Sequence, residues 1–194
     1  MFDFEIWNTP DWAVRRLLEE VWLPPGAWIE PFAGNGDIIR AVCEDRPGQI
    51  QFTAVELRPE CHDSLATMVK SKNIHCPREF LTGFSPHNHR QLEGVASYFD
   101  VAITNPPATK ALEALPKCLC MAEYVAILQP HTWLGRLKKQ PEFLHGIPPD
   151  IYVLPDGICG MTYAWFVWGP KNERFKDEYI TRELQATSLK ERGL

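Results

Sequence analysis

Short apolar runs alternate with segments of helical spacing along most of the chain. Seven runs have the length and the β-branched and aromatic residues typical of strands; they lie at 27–32, 51–57, 73–81, 100–104, 124–129, 151–155 and 162–169. Between the earlier runs, apolar residues recur at helical spacing, as in Ile38, Ile39 and Val42. Strands that alternate with helices predict an α/β fold with a mostly parallel, seven-stranded sheet. The last two runs predict an antiparallel pair.

Two local patterns refine this prediction. Trp165 and Trp168 point to opposite faces of the last strand, because side chains alternate along a strand. We therefore expect one of them in the core and the other at the surface or an interface. Thr9 and Pro10 precede the first helical segment, which predicts a helix with Thr9 as its N-cap and Pro10 as its first residue.

The composition is typical of a globular protein, with 45% hydrophobic and 23% charged residues among 194. We predict one domain over residues 1–170 and a charged tail or surface helix over 171–194. No apolar run approaches the length of a membrane span, and the six cysteines include no CxxC pair. These features favour a cytoplasmic protein with reduced thiols and no membrane partner. His87 and His89 have no cysteine or acid at ligand spacing, so no metal site is expected.

A glycine-containing turn follows the first predicted strand, in the segment EPFAGNGD from Glu30 to Asp37. Gly34 and Gly36 allow the backbone to turn tightly and to approach a ligand closely. Glu56 follows Gly36 by 20 residues and ends the second strand, where an acid can accept hydrogen bonds from both ribose hydroxyls. The glycine pair alone is equally typical of an ordinary turn. Together with the acid, it predicts a nucleoside site.

The buried strand at 100–104 ends in the unusual sequence Asn105-Pro106-Pro107. Asn105 offers a side-chain carbonyl, and Pro106 offers a backbone carbonyl on a rigid scaffold. Pro107 restricts Pro106 to extended conformations. Two fixed acceptors suit a substrate NH₂ group, because holding both protons leaves the nitrogen lone pair directed at an electrophile. A stiff loop after a strand is the structural alternative.

The order of the segments TPDWA, IEPFAGNGD, AVEL, REFL and ITNPP resembles that of class I S-adenosylmethionine-dependent amino-methyltransferases. The later segments VAILQPHTWL, IPPDIYVLP and YAWFVWGP resemble phage-type DNA N6-adenine methyltransferases. The resemblance covers about residues 5–170. It implies a Rossmann-like methyltransferase fold, S-adenosylmethionine as cofactor and DNA as substrate.

The resemblance also implies roles for individual residues. Thr9 and Pro10 would fold over the methionine end of the cofactor, and Glu30, Gly34 and Gly36 would lie beneath it. The remaining cofactor contacts would come from the ribose acid, from an acid and an aromatic residue beside the adenine, and from the catalytic motif: Glu56, Glu79, Phe80 and Asn105. The family usually has Asp at the position of Glu79. Asn105, Pro106 and Pro107 would form the catalytic motif.

Ala108 departs from the family, whose motif normally ends in an aromatic residue that stacks on the extruded target base. Such stacking contributes about 1–3 kcal/mol per base, and alanine cannot supply it. Trp133 is our candidate for a replacement. Arg136, Lys138 and Lys139 are candidate phosphate contacts, although a solvated helix face is an equal alternative.

The sequence as a whole predicts methyl transfer to the N6 amine of adenine in DNA. The net charge of −5 argues against a large nucleic-acid footprint, and little sequence remains for target recognition. We therefore expect relaxed sequence preference, or recognition that depends on a homodimer or another protein. A phage-encoded chain would act in the cytoplasm of its host. The alternatives are an amino-methyltransferase acting on RNA or protein glutamine, and a cofactor-binding protein with reduced or lost catalysis.

Overall fold

The computed structural model describes residues 8–84, 98–140, 148–169 and 181–183. Its strands are β1 (Gly26–Glu30), β2 (Ile50–Val55), β3 (Ile74–His75), β4 (Phe99–Thr104), β5 (Ala122–Pro130), β6 (Asp150–Val153), β7 (Tyr163–Trp168) and β8 (Thr181–Glu183). Its α-helices are α1 (Asp11–Glu20), α2 (Asp37–Asp45), α3 (His62–Ala66), α4 (Phe80–Gly83), α5 (Ala111–Met121) and α6 (Leu134–Leu137). Short 3₁₀ helices lie at Pro59–Cys61, Ser71–Asn73 and His131–Trp133.

The described strands form one sheet in the order β3-β2-β1-β4-β5-β7-β6-β8. Strands β1 to β5 run parallel to one another, whereas β7 runs antiparallel to both β5 and β6. The predicted α/β fold is confirmed: it is Rossmann-like, mostly parallel, and has an antiparallel C-terminal strand. The seven predicted strands are all present, with β8 as an additional edge strand parallel to β6.

The segment 171–194 was expected to be a tail or a surface helix. The part that the structure describes, residues 181–183, is instead the strand β8. His87 and His89 lie outside the described residues. Within the described part of the chain, no group of three or more histidine, cysteine or acidic residues could hold a metal ion. No helix among these residues is long and apolar enough to cross a membrane.

Both faces of the sheet are covered. One buried cluster includes Leu17 of α1 and Trp165 of β7, and the other includes Leu115 of α5 and Trp168 of β7. The two tryptophans therefore do point to opposite faces, as predicted. However, the expectation that one would reach the surface is wrong, because both are at most 1% exposed. A sheet between two helical layers buries both faces of its central strands.

The order of the strands reverses between β1 and β4. The chain runs from β1 outward to β2 and β3, and then returns to β4 on the other side of β1. Ligands of open α/β sheets bind at such a reversal, beyond the carboxyl ends of the strands. Three predicted site features lie at this carboxyl end of the strands: the glycine turn after β1, Glu56 after β2 and Asn105 after β4.

Candidate active site

A cleft opens at the reversal point, at the carboxyl ends of β1, β2 and β4. It holds about 310 Å³ of empty space, including solvent at its mouth. This volume lies at the lower end of the range for small-molecule sites. The lining residues come from the start of the chain, the glycine turn and the strand ends: Asn8, Thr9, Glu30, Phe32, Ala33, Gly34, Asn35, Asp37, Ile38, Arg58 and Asn105.

The turn between β1 and α2 has the backbone conformation that its glycines predicted. Gly34 has a φ of +55° and Gly36 a φ of +82°, both in the left-handed region that side chains disfavour. A Cβ atom on Gly36 would lie 2.4 Å from Cε of Met68. The turn therefore packs directly against the segment after α3, and Gly36 is required for both its conformation and its size.

Glu56 lies beneath this turn and is only 7% exposed. Its Oε2 accepts a 2.6 Å hydrogen bond from the Gly34 amide. Its Oε1 accepts bonds from the backbone nitrogen and Nε of Arg58, at 2.9 and 3.0 Å. Arg58 was not predicted from the sequence, because an arginine in a loop has no distinctive pattern. These three bonds fix the carboxylate that was predicted to bind ribose.

Glu30 carries a carboxyl group into the floor of the cleft, where it is 2% exposed. Desolvation by burial, together with the nearby charges of Asp37 and Glu56, raises the pKa of Glu30 well above its ordinary value. Its Oε2 has no hydrogen-bond partner among the described residues. The raised pKa favours the neutral form of this carboxyl group. Asp37 and Arg58 also line the cleft, whereas Glu56 lies beneath the glycine turn and is not among the lining residues.

Asn105 is tied to the segment before α1. Its Nδ2 donates a 3.1 Å hydrogen bond to Oγ1 of Thr9, and both residues line the cleft. Thr9 was predicted to cap α1, and this prediction is wrong: α1 begins at Asp11, with Pro10 as its N-cap and no side-chain cap. The hydroxyl of Thr9 contacts the catalytic-motif residue instead.

The Pro106 carbonyl, the second predicted acceptor, already has a partner. Nε2 of Gln129 donates a 2.7 Å hydrogen bond to this oxygen, and Gln129 is 1% exposed. A carbonyl oxygen has two lone pairs, so this bond occupies one of them; Pro106 is buried and is not among the residues that line the cleft. The Pro107 carbonyl accepts bonds from the amides of Lys110 and Ala111 and so joins the motif to α5.

Glu79 and Phe80 lie at the start of α4. Glu79 caps this helix, as its Oε2 accepts bonds from the backbone nitrogen and the hydroxyl of Thr82 at 2.5 and 2.7 Å. Phe80 is 2% exposed and packs edge-on against Phe32 at 5.6 Å. Neither Glu79 nor Phe80 lines the cleft, whereas Phe32 does. Their contact with an adenine remains a prediction.

The arrangement around Ala108 differs from the expected one. Trp133 is 3% exposed, and its ring is enclosed edge-on by Phe166 and Trp168, at 4.9 and 6.4 Å. This packing leaves no ring face for a base, so Trp133 does not fit the predicted stacking role. Both neighbouring rings belong to the buried strand β7, and this packing holds Trp133 in the core.

The predicted cationic cluster divides into two parts. Nη1 of Arg136 donates a 2.9 Å hydrogen bond to the Ala108 carbonyl, which ties α6 to the loop after the Asn-Pro-Pro motif. Lys138 and Lys139 are exposed at the end of α6. Because α6 follows the carboxyl end of β5, both lysines lie at the carboxyl end of the parallel strands, as the cleft does.

The fold matches solved methyltransferase structures. A protein described as a class I S-adenosylmethionine-dependent methyltransferase from Listeria monocytogenes superposes with a TM-score of 0.60 at 13% identity, over 91% of this chain and 63% of its own. A type I restriction-modification methyltransferase subunit from Streptococcus thermophilus gives 0.57 at 14% identity, over 87% and 46%. The 23S rRNA methyltransferase ErmE gives 0.60 at 13% identity, over 89% and 73%.

Identities this low establish the fold and nothing finer. The chain has the fold of class I S-adenosylmethionine-dependent methyltransferases. It spans less than two thirds of the Listeria monocytogenes and Streptococcus thermophilus proteins. Comparison with protein-family models gives no match, and comparison with curated proteins gives none.

Proposed function

We propose that this chain transfers a methyl group from S-adenosylmethionine to the exocyclic N6 amine of adenine in DNA. The observation that carries the proposal is the orientation of Asn105 at the cleft. Thr9 accepts from the amide nitrogen at 3.1 Å, so the amide oxygen is left to accept from a substrate. Asn105 lines the cleft together with Thr9, whereas a loop with only a structural role would not require an amide side chain there.

The residues of the cleft fit S-adenosylmethionine. Asp37 lines the cleft and suits the positive charges of this cofactor. Glu56 lies beneath the glycine turn at the end of β2, where its carboxylate, held by Gly34 and Arg58, would accept from the ribose hydroxyls. Leu57 follows directly and is 44% exposed, so it offers apolar surface for an adenine ring. The cofactor supplies an electrophilic methyl group on a sulfonium.

The residues after β4 act on the acceptor. Asn105 Oδ1 and the remaining lone pair of the Pro106 carbonyl would each accept one proton of the substrate amine. The nitrogen lone pair would then no longer be delocalised into the base and would form the bond to the methyl carbon as the methyl–sulfur bond breaks, leaving S-adenosylhomocysteine. The fixed carbonyl dipoles would also stabilise the positive charge that develops on this nitrogen, which would then lose one proton to solvent.

DNA is the substrate that we favour, and RNA remains the second candidate. The restriction-modification subunit supports the first and ErmE the second, since the fold is similar to both. The exposed lysines Lys138 and Lys139 lie at the edge of the sheet where a nucleic acid would approach. We further propose relaxed sequence preference, or recognition through a homodimer or a second protein.

The test is transfer from labelled S-adenosylmethionine to DNA, RNA and protein in parallel, followed by mass spectrometry of the nucleosides. We expect N6-methyladenine in DNA, at positions that share no strict multi-base motif. Label in RNA or protein alone would contradict the DNA assignment. Cofactor binding without transfer to any acceptor would support the alternative of a binding protein with lost catalysis.

The variant Asn105→Ala tests the role of the Asn105 amide in methyl transfer. Removing one preorganised polar group of this kind typically costs about 100-fold or more in turnover. We expect such a loss, while calorimetry shows S-adenosylmethionine affinity within about threefold of the parent chain. A variant that keeps the parent rate would refute the role of the Asn105 amide.

A further inference from the structure

We propose that Gln129 is a positioning residue that fixes the direction of the Pro106 carbonyl and leaves one of its lone pairs for the acceptor amine. The inference rests on the proposed function and adds a residue to it. Nothing in the sequence marks Gln129, which ends an apolar run and lies 23 residues from its partner. Its contact with the motif is visible only in the structure.

The position of Gln129 on β5 accounts for its reach. The parallel register of β4 and β5 pairs Thr104 with Ile127, so Gln129 lies two residues further, beside Pro106. On its other side, Gln129 pairs with Ala164 of β7. Its backbone is therefore held in the interior of the sheet. A side chain on such a rigid strand can hold a neighbouring group in place more accurately than one on a loop.

Pro106 needs an external partner to fix its carbonyl. The proline ring sets φ, but the direction of the carbonyl depends on ψ, which Pro107 limits only to an extended range. The peptide unit of this carbonyl also has no N–H to anchor it, because its nitrogen belongs to Pro107. The 2.7 Å bond from Gln129 Nε2 supplies the missing constraint.

The burial of Gln129 argues against a role in packing alone. The residue is 1% exposed, and its Oε1 has no hydrogen-bond partner among the described residues. A buried amide oxygen without a partner lowers stability, and replacement by an apolar side chain of the same shape relieves that loss. Packing alone would favour an apolar residue here, so the bond to Pro106 is the reason for a glutamine.

The test is Gln129→Met, which keeps the length and burial of the side chain but removes the donor. A misplacement of about 1 Å can cost up to about 100-fold in rate. We expect the turnover number for DNA to fall about 10-fold to 100-fold, while the KM for DNA and the Kd for S-adenosylmethionine stay within about threefold. The thermal midpoint should fall modestly, because the buried Pro106 carbonyl loses its donor, so turnover is compared at a temperature where both chains are folded.

Thr104→Val is the control. Thr104 lies at the end of the neighbouring strand, is fully buried, and also has a side-chain oxygen without a partner in the described part of the chain. This substitution removes a polar atom near the motif without touching Pro106, so activity should remain. Equal activity in both variants would overturn the proposal, as would a loss of turnover in Gln129→Met that is no larger than its unfolded fraction at the assay temperature.

Failure of the proposed function is a separate outcome. If the parent chain methylates no acceptor, a crystal structure of Gln129→Met still decides the positioning role. A Pro106 carbonyl that turns away from its parent direction supports it. An unchanged carbonyl overturns it, whatever reaction the cleft performs.

Discussion

Glu30 brings a carboxyl group into the floor of the cleft, where burial and two neighbouring acids raise its pKa. The unfolded chain ionises this group near its ordinary value, whereas the folded chain keeps it protonated to a higher pH. Between these two values the folded state binds more protons, so stability falls as pH rises. Below the ordinary value both states are protonated, and Glu30 makes no difference.

Glu30→Gln should therefore be more stable than the parent chain above the ordinary carboxyl pKa, and equally stable below it. The difference should grow with pH by at most about 1.4 kcal/mol per unit, the limit for one proton, and become constant above the raised pKa. Urea unfolding from pH 4 to pH 8 measures it. A difference that is the same at every pH would show that Glu30 does not titrate abnormally.

Residues differ in how visible they are in the sequence. The positions of Glu56 and the glycines at the ends of β2 and β1 could be predicted, because a fixed spacing along one strand-turn-helix unit indicates them; their contact with a cofactor stays a prediction. Gln129 and Arg58 could not, since their roles depend on which atom lies within 3 Å in three dimensions. Thr9 was named as a candidate site residue but was wrongly predicted to cap α1. Its actual partner, Asn105, is 96 residues away along the chain, so no local pattern indicates this contact.

The turn between β1 and α2 depends on backbone conformations that other residues avoid. Gly36 and Gly48 both have left-handed φ values, of +82° and +74°. They differ in their surroundings: a Cβ on Gly36 would meet Met68, whereas one on Gly48 would meet nothing within 4 Å. Gly48 lies between α2 and β2, outside the cleft lining, so it serves as a matched reference.

Gly36→Ala should destabilise the fold more than Gly48→Ala. The left-handed conformation costs about 1–2 kcal/mol in each variant, and Gly36→Ala adds the displacement of Met68. Chemical denaturation gives the two free energies of unfolding, and calorimetry gives the affinity for S-adenosylmethionine. We expect weaker cofactor binding for Gly36→Ala alone. Equal affinity in both variants would mean that the turn does not bind the cofactor.

The succession of seven strands along the chain could be predicted, because alternation and apolar runs are local signals. The fate of the tryptophans could not. Trp165 and Trp168 alternate along β7 as expected, yet both are buried, because α1 covers one face and α5 the other. Trp133 is enclosed by Phe166 and Trp168 of β7. Such burial depends on which elements pack together in three dimensions, and the sequence of one element does not contain that information.

Charge is distributed unevenly over a chain whose net charge is −5. Glu30 and Asp37 line the cleft. Lys138 and Lys139 lie exposed at the same, carboxyl end of the parallel strands, and Arg136 of α6 donates to the Ala108 carbonyl nearby. Lys70 and Lys72 are also exposed, but they precede β3 and so lie at the opposite, amino end of the parallel strands. An anionic substrate that enters the cleft would meet the first pair and not the second.

Replacing Lys138 and Lys139 by glutamine should weaken DNA binding and make it less dependent on salt. Each lysine that contacts a phosphate of duplex DNA adds about 0.9 to the slope of log affinity against log salt concentration, so the slope should become shallower by up to about 1.8. Fluorescence anisotropy over a series of salt concentrations measures this slope. The same replacements at Lys70 and Lys72 should leave it unchanged, since the long-range attraction of distant charges is screened within about 8–10 Å. If replacing Lys70 and Lys72 changes the slope as much as replacing Lys138 and Lys139, DNA binds without a preferred face. The surface beside the Asn-Pro-Pro motif is then not its docking surface.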